Sequence, residues 1–396
     1  MIIGLVGKPS SGKSTFFSAA TLVDVARAAY PFTTIEPNKG IGFARIDCID
    51  KEFNTQCNPR TGFCEKHQRF VPVEIIDVAG LVPGAHEGLG RGNQFLTDLS
   101  KADALIHVID ASGSINEKGE AVGQGNYDPL NDVRFLEEEI GFWFLGVIKK
   151  NWQKFSRTPF DSKAKMLEVF SQNLSGIGAN TTSIEQALLK TNLIEKKLNA
   201  WSEEEQKAFA FKLRELSKPI VIAANKADIS NSAENIERMS KEFPELLIIA
   251  CSAESELALK KAVKAKAIHY LPGDNEFELI NVNEGQKKAL EIIKEKVLKK
   301  FNSTGVQELL NKTVFDVLKY VAVFPGGVGK LEDSEGRRLP DCFLMPPKST
   351  ALDFAFKLHT DFGKNFIRAV DVKTKKMIGK DYELKHRDVI EIISAK

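Results

Sequence analysis

No apolar stretch in this sequence approaches membrane length: runs such as Phe142-Trp143-Phe144-Leu145 fall far short of the roughly 20 residues a spanning helix needs. The chain enters a strand pattern at once, with no charged leader, so neither export nor membrane anchoring is expected. Cysteine is scarce and odd in number, five in 396 residues, which argues against a closed disulfide framework and for reduced thiols in the cytoplasm. An excess of either charge is missing too. With 55 Lys and Arg against 53 Asp and Glu the formal net charge is +2, so a nucleic-acid partner has to be argued from local patches. What remains is an ordinary globular composition, 43% hydrophobic, in a chain long enough for two or three packed domains.

The first informative stretch is "GKPSSGKST", residues 7–15, directly after the apolar run Ile2-Ile3-Gly4-Leu5-Val6. Gly7 and Gly12 stand at phosphate-loop spacing from Lys13 and Ser14. Glycines at these points let backbone N–H groups face phosphates, and the following helix-like run, Thr15 to Val25, adds the positive potential of its N-terminus. The loop from Gly7 through Lys8, Pro9, Ser10, Ser11 and Gly12 to Thr15 is therefore expected to cradle a nucleotide. Lys13 would bridge its terminal phosphates, and Ser14 would ligate magnesium.

Further parts of a nucleotide switch follow in order at the ends of apolar strands. "VPVEIIDVAG" ends in Asp77-Val78-Ala79-Gly80, where Asp77 suits a magnesium water shell and the Gly80 N–H a terminal phosphate. Between these, "YPFTTIEPN" offers Thr33 and Thr34 in a polar loop. "PIVIAANKAD" ends in Asn225-Lys226-Ala227-Asp228. A carboxylate at Asp228 accepts from the N1–H and exocyclic amine of guanine, whereas adenine presents an acceptor at N1 and leaves it unpaired. The strand Leu246 to Ala250 opens into Cys251-Ser252-Ala253-Glu254, where the Ala253 N–H would meet guanine O6. The expected ligand is GTP or GDP with magnesium, and strands alternating with helices imply an α/β fold with a mainly parallel sheet.

These stretches, together with "DVAGLVPGAHEGLGRGNQFL", "STGVQELLNKTVFD" and "FLMPPKSTALDFAFKLHTDFGKNF", resemble the Obg-related translation-factor GTPases, most closely the archaeal-type members of the Obg-like (YchF) subfamily. The resemblance runs nearly end to end. It implies a P-loop GTPase domain over residues 1–131 and 219–332, an inserted α-helical domain over 132–218, and a C-terminal TGS domain of β-grasp fold over 333–396. It implies catalytic roles for Lys13, Thr34 and Gly80, with Thr34 rather than Thr33 joining Ser14 and Asp77 at the magnesium. A ribosome, or ribosomal RNA or protein, is the implied partner of a cytoplasmic monomer, with no role for DNA or membrane.

Departures from the family pattern shape the expectation. Obg-like ATPases that prefer ATP have lost the guanine-reading motif, which this chain keeps, so GTP is expected over ATP. Ser10 stands where potassium-stimulated relatives carry asparagine, and no histidine occurs from Ala111 through Arg134 to take the hydrolytic role proposed in some members. Leu81 follows Gly80 where many GTPases place a water-orienting glutamine, so intrinsic hydrolysis should be slow. His86 in the neighbouring glycine-rich run reads more simply as a solvated loop residue.

Elsewhere, Ser202 to Glu205 reads as a capping box. "FWFLGVIKKNWQKFSR" reads as an amphipathic helix whose aromatics pack inward, with Lys149, Lys150, Lys154 and Arg157 available outside for RNA. Glu284 to Phe301 reads as a helix packed on the GTPase sheet, and the C-terminal segment as short strands with one helix near Leu352 to Asp361. His107 reads as a strand histidine with a hydrogen-bond partner. Cys48, Cys57, Cys64 and His67 are candidate ligands of a structural zinc ion, but without paired C-x-x-C knuckles the spacing favours ordinary reduced thiols.

Overall fold

The strands, of which β1, β5, β6, β7 and β10 are largely apolar runs, are in chain order β1 (Ile2–Val6), β2 (Lys39–Asp47), β3 (Phe63–Glu65), β4 (Gln68–Asp77), β5 (Ala104–Asp110), β6 (Ile220–Asn225), β7 (Leu247–Ala250), β8 (Ile268–His269), β9 (Glu278–Leu279), β10 (Val321–Pro325), β11 (Phe343–Met345), β12 (Phe366–Asp371), β13 (Lys376–Ile378) and β14 (Asp388–Ser394). The helices are α1 (Lys13–Thr21), α2 (Leu130–Arg157), α3 (Lys163–Leu174), α4 (Thr181–Lys190), α5 (Glu203–Ser217), α6 (Ser232–Glu242), α7 (Ala253–Lys264), α8 (Glu284–Ile293), α9 (Val306–Lys312), α10 (Ala351–Leu358) and α11 (Thr360–Lys364). This computed structural model describes residues 1–21, 38–78, 98–157, 160 and 162–395. Among them, no helix is long and apolar enough to cross a membrane.

The chain forms two units, one of Ile2–Ala19 and Ile75–Val306, the other of Ala20–Glu74 and Gln307–Lys396 with Met1. In the first, β1, β5, β6 and β7 lie parallel in that order, with Val6 opposite His107, Asp110 opposite Asn225, and Ala224 opposite Ala250. Every residue of β5 and β6 is buried, which is why these strands read as mainly apolar runs, with His107 the polar exception inside β5, rather than alternating ones. The end of β4 flanks β1 on its other side, where the Val78 N–H donates to the Leu5 carbonyl at 3.0 Å. The register brings the C-terminal ends of the parallel strands to one edge, the usual place for a ligand in such a sheet.

The expected inserted helices, α2 to α5, share one apolar core with these strands. Phe144, Ile148 and Phe155 are fully buried, Trp152 lies 5.3 Å from Trp201, and Phe155 lies 4.3 Å from Phe170, so the aromatics of α2 pack inward as expected. Lys149, Lys150, Lys154 and Arg157 are exposed. The capping box starts α5: the Ser202 side chain accepts from the Glu205 N–H, and Glu205 accepts from the Ser202 N–H at 2.8 Å. The helix from Glu284, which continues as a π-helical turn over Lys294–Leu298, differs from expectation. Its Leu290 and Leu298 join Leu259 of α7, Ile268 of β8 and Tyr270 in a separate cluster instead of covering the parallel sheet.

In the second unit β3 pairs antiparallel with β4, which lies beside β2. Its other sheet has the order β11-β10-β14-β12-β13, with β10 and β14 parallel and the remaining pairs antiparallel. Ala351, Phe354 and Ala355 of α10 are buried, and Ala351 and Phe354 join Val323, Ala369 and Ile390 in the core of that sheet. The single expected helix is two, because His359 takes an extended conformation, with φ −162° and ψ 143°, between α10 and α11. Within the passage after Pro325, Glu332 and Arg338 form an isolated antiparallel bridge.

Candidate nucleotide site

Gly7 directly follows β1 with φ 156°, where a side-chain Cβ would stand 2.5 Å from the Val108 carbonyl oxygen. At the far side of the loop, Gly12 has φ 94°, and a Cβ there would stand 2.2 Å from Asn225 Nδ2. Only glycine meets both demands, a left-handed backbone and close approach. The Phe16 N–H then donates to the Gly12 carbonyl at 2.8 Å, and the fully buried Phe16 ring anchors the first turn of α1. Pro9, Ser10 and Ser14 are exposed, while Ser11 is buried. Lys13 ion-pairs with the Asp77 carboxylate at the end of β4, so two of the expected phosphate and magnesium groups meet.

Lys8 turns its side chain the other way. Its ammonium donates to the Ile115 carbonyl at 3.0 Å and to Asp132 Oδ1 at 3.0 Å, and lies 3.8 Å from the centre of the Tyr127 ring. The Tyr127 hydroxyl donates to the same carboxylate at 2.9 Å. Burial raises the Asp132 carboxyl above its ordinary range against the opposing pull of Lys8. The Lys8 side chain thus staples the loop to α2, leaving its backbone N–H for a ligand.

On the other side of the loop, Asn225 is nearly buried, and its amide makes two long-range bonds. Nδ2 donates to the Ser11 carbonyl at 3.0 Å, and Oδ1 accepts from the Ala253 N–H at 3.0 Å. Next to it Lys226 adopts a left-handed φ of 61° and reaches Asp110 Oδ2 at 3.0 Å. Asp110 also accepts from the hydroxyls of Ser112 and Ser114, both at 2.6 Å. Burial raises its carboxyl, but Ser112, Ser114 and Lys226 outweigh that and hold it below the ordinary range. Asp228 is exposed, and its Oδ1 accepts from the Ser252 hydroxyl at 2.8 Å, with Ser255 Oγ 2.8 Å beyond. Glu254, in the first turn of α7, is exposed.

The fold therefore gathers residues 7–15, Asp77, Asn225, Lys226, Asp228, Ser252 and Ala253 at the C-terminal edge of the parallel sheet. Thr33, Thr34, Gly80, Leu81 and His86 lie outside the described residues. Sequence reasoning did not single out Asp110 or Asp132 for a role. The signal for Asp110 lay in "DASGS", where serines two and four residues on fit a carboxylate-capped turn. His107 departs from expectation: it is buried, and its Nδ1 has no hydrogen-bond partner among the described residues. Burial, with the nearby Lys8 charge, pushes its pKa down to about 3. In the other unit, the three expected cysteines come together with Asp50, and His67 hydrogen-bonds to Asp50.

Three family models match the chain: "50S ribosome-binding GTPase" over residues 2–133, "Obg-like GTPase YGR210-like, G4 motif-containing domain" over 223–327, and "TGS domain" over 330–394. An uncharacterized GTP-binding protein of Methanocaldococcus jannaschii is 47% identical over 100% of this chain and 99% of its own length. The ribosome-binding ATPase YchF of Bacillus subtilis is 26% identical over 98% of this chain and 97% of its own. The crystal structure of a GTP-binding protein from Pyrococcus horikoshii OT3 is 40% identical, covers 100% of both chains and superposes with a TM-score of 0.79. This chain belongs to the YchF/Obg-like family of GTP-binding proteins, with a P-loop GTPase fold of mostly parallel sheet, a helical region and a C-terminal TGS domain.

Proposed function

We propose that the chain is a magnesium-dependent GTPase that hydrolyses GTP to GDP and phosphate, with slow intrinsic turnover, and acts as a cytoplasmic switch on the ribosome. The observation that carries this reading is the double bond of Asn225 to Ser11 and Ala253, which fixes the distance between the phosphate loop and the exposed Asp228 carboxylate. That carboxylate, oriented by Ser252, would accept from guanine N1–H and its exocyclic amine, and the Ala253 segment would approach O6. The residues fit a nucleoside triphosphate: glycine at 7 and 12 lets the loop turn tightly against the Val108 carbonyl and the Asn225 amide, where a Cβ would collide, and Lys13 stands ready for the terminal phosphates. Magnesium would be held by Ser14 and Thr34, and through water by Asp77, and would neutralise charge on the β- and γ-phosphates. The Gly80 N–H would meet the terminal phosphate, and Leu81 leaves no side-chain amide to orient water, so a partner has to complete the site.

We divide the chain into a GTPase domain (1–131 and 219–332), an inserted helical domain (132–218) and a TGS domain (333–396), acting as a monomer. The ribosome is proposed as partner because the family matched over residues 2–133 is a ribosome-binding GTPase and the Bacillus relative is a ribosome-binding ATPase. Leu81 also supports a second reading, an adaptor whose nucleotide state matters while turnover does not. Multiple-turnover phosphate release from GTP and from ATP, with magnesium and with or without ribosomes, separates the two. The enzyme reading expects GTP turnover to rise at least tenfold with ribosomes; tight binding of GTP and GDP without stimulation favours the adaptor.

A further inference from the structure

Cys48 directly follows β2, Asp50 sits in the 3-10 turn Ile49–Phe53, Cys57 lies in the irregular segment beyond, and Cys64 is in β3. Their ligand atoms all lie within 4.8 Å of one another. The sulfurs of Cys48 and Cys57 are 3.5 Å apart, and Cys64 Sγ is 3.7 Å from Asp50 Oδ2. Four ligands around zinc at about 2.3 Å for sulfur and about 2.1 Å for oxygen leave sulfurs roughly 3.8 Å apart and sulfur and oxygen roughly 3.6 Å apart. These two spacings are close to those of a tetrahedral site, and drawing the others in from at most 4.8 Å would complete it.

The surroundings sharpen the point. Asp50 has no exposed surface, and Cys48 and Cys57 belong to an apolar cluster with Ile46, Ile49, Val71 and Phe324. Three thiols and a carboxylate gathered in such a setting are held most economically by a cation. The Cys57 N–H donates to Asp50 Oδ2 at 3.0 Å, and the other contacts are those of an outer shell: His67 Nδ1 lies 2.9 Å from Asp50 Oδ1, and the buried Arg69 guanidinium stands 3.6 Å from Cys57 Sγ while donating to the Leu339 and Pro340 carbonyls. Such second-shell groups orient ligands and balance their charge.

We propose that Cys48, Cys57 and Cys64, each through Sγ, and Asp50 through a carboxylate oxygen, hold a structural zinc ion that clasps the segment between β2 and β3. On binding, each thiol gives its proton to solvent and the carboxylate binds as the anion, so the site carries a formal charge of −2, of which Arg69 offsets one unit. A thiolate-rich donor set selects zinc over magnesium or calcium, and three cysteines fall short of the four thiolates of common iron–sulfur clusters. The spacing of the sequence pointed to His67 as the fourth ligand; the fold puts Asp50 there and His67 behind it.

The test uses the full chain, purified without chelator. Elemental analysis should find close to one zinc per chain, and cobalt added to the chelator-stripped protein should saturate at one equivalent with the ligand-field bands of tetrahedral thiolate coordination. Cys342→Ala, altering a cysteine outside the set, should keep the metal, and Cys57→Ser should lose it; if Cys57→Ser does not fold, the cobalt spectrum of the unaltered chain still decides. Asp50→Asn should weaken zinc binding by a hundredfold or more, and His67→Gln by roughly tenfold. Absence of stoichiometric zinc together with a featureless cobalt titration would overturn the site, as would a Cys48–Cys57 disulfide in the freshly purified protein. A larger effect at His67 than at Asp50 would overturn the donor set.

Discussion

Asn225 Nδ2 donates to the carbonyl of Ser11 at 3.0 Å across 214 residues of sequence, joining the end of β6 to the loop after β1. The same amide accepts from Ala253, so one side chain sets the position of three segments. Asn225→Ala removes both bonds and leaves a buried carbonyl and N–H unpaired, a cost of about 1–3 kcal/mol for each orphaned group. GTP and GDP affinity should fall together by at least tenfold. Gly12→Ala should do the same by another route, since its Cβ collides with that amide. Fluorescence titration with labelled nucleotides checks both, and unchanged affinity in Asn225→Ala would remove the clamp from the account.

Asp228→Asn tests base reading separately from phosphate binding. Two charge-assisted hydrogen bonds to guanine become weaker or mismatched, so GTP binding should drop roughly a hundredfold. Xanthosine triphosphate, which carries an oxygen where guanine has its amine, should gain, because an asparagine amide donates where a carboxylate cannot. Competition binding with the two nucleotides reads the exchange directly. Equal losses for both would place Asp228 outside the base site.

The pair of Lys8 and Asp132, with side chains 9% and 8% exposed, should respond as a buried ion pair does. Lys8→Met leaves the carboxylate without its main partner and should cost about 3 kcal/mol, the low end for a broken buried pair, because Asp132 can take a proton instead. The double variant Lys8→Met/Asp132→Leu should recover most of that loss. Urea unfolding of the two variants measures it; a double variant no more stable than the single one would contradict the pairing.

His107 gives stability an acid dependence above the range where carboxylates titrate. Burial keeps its folded pKa near 3, against 6.5 for an ordinary imidazole. The folded state therefore holds the ring neutral, and that preference contributes stability fully above pH 6.5. As pH falls from there toward 3 the unfolded chain takes up a proton that the folded chain does not, and stability declines by about 1.4 kcal/mol per pH unit from this group. Unfolding midpoints measured at pH 7 and pH 5 should differ less in His107→Asn than in the unaltered chain. Parallel slopes would mean the ring is protonated in the fold.

The α/β fold and the nucleotide motifs were legible because strand burial and loop chemistry are local. Largely apolar runs preceded each motif, and the glycines at 7 and 12 stood where the backbone needed them. The capping box at Ser202 and the inward aromatics of α2 were legible for the same reason. What the sequence concealed depends on partners distant in the chain. Nothing near Lys8 says that its side chain leaves the phosphate loop for Asp132, 124 residues away. Nothing near Asp50 marks it as the companion of three cysteines, since a carboxylate in a short turn usually faces water and His67 offered the more familiar ligand spacing. The helix from Glu284 was misplaced because its apolar periodicity shows that it has a buried face and not which surface that face meets.

The central claim is that the Asn225 to Asp228 segment selects guanine nucleotides, and competition binding of GTP against ATP on the unaltered chain with magnesium tests it most directly. The account predicts GTP bound at least a hundredfold more tightly than ATP, with Asp228→Asn erasing most of the difference. ATP bound as tightly as GTP, or more tightly, would contradict it.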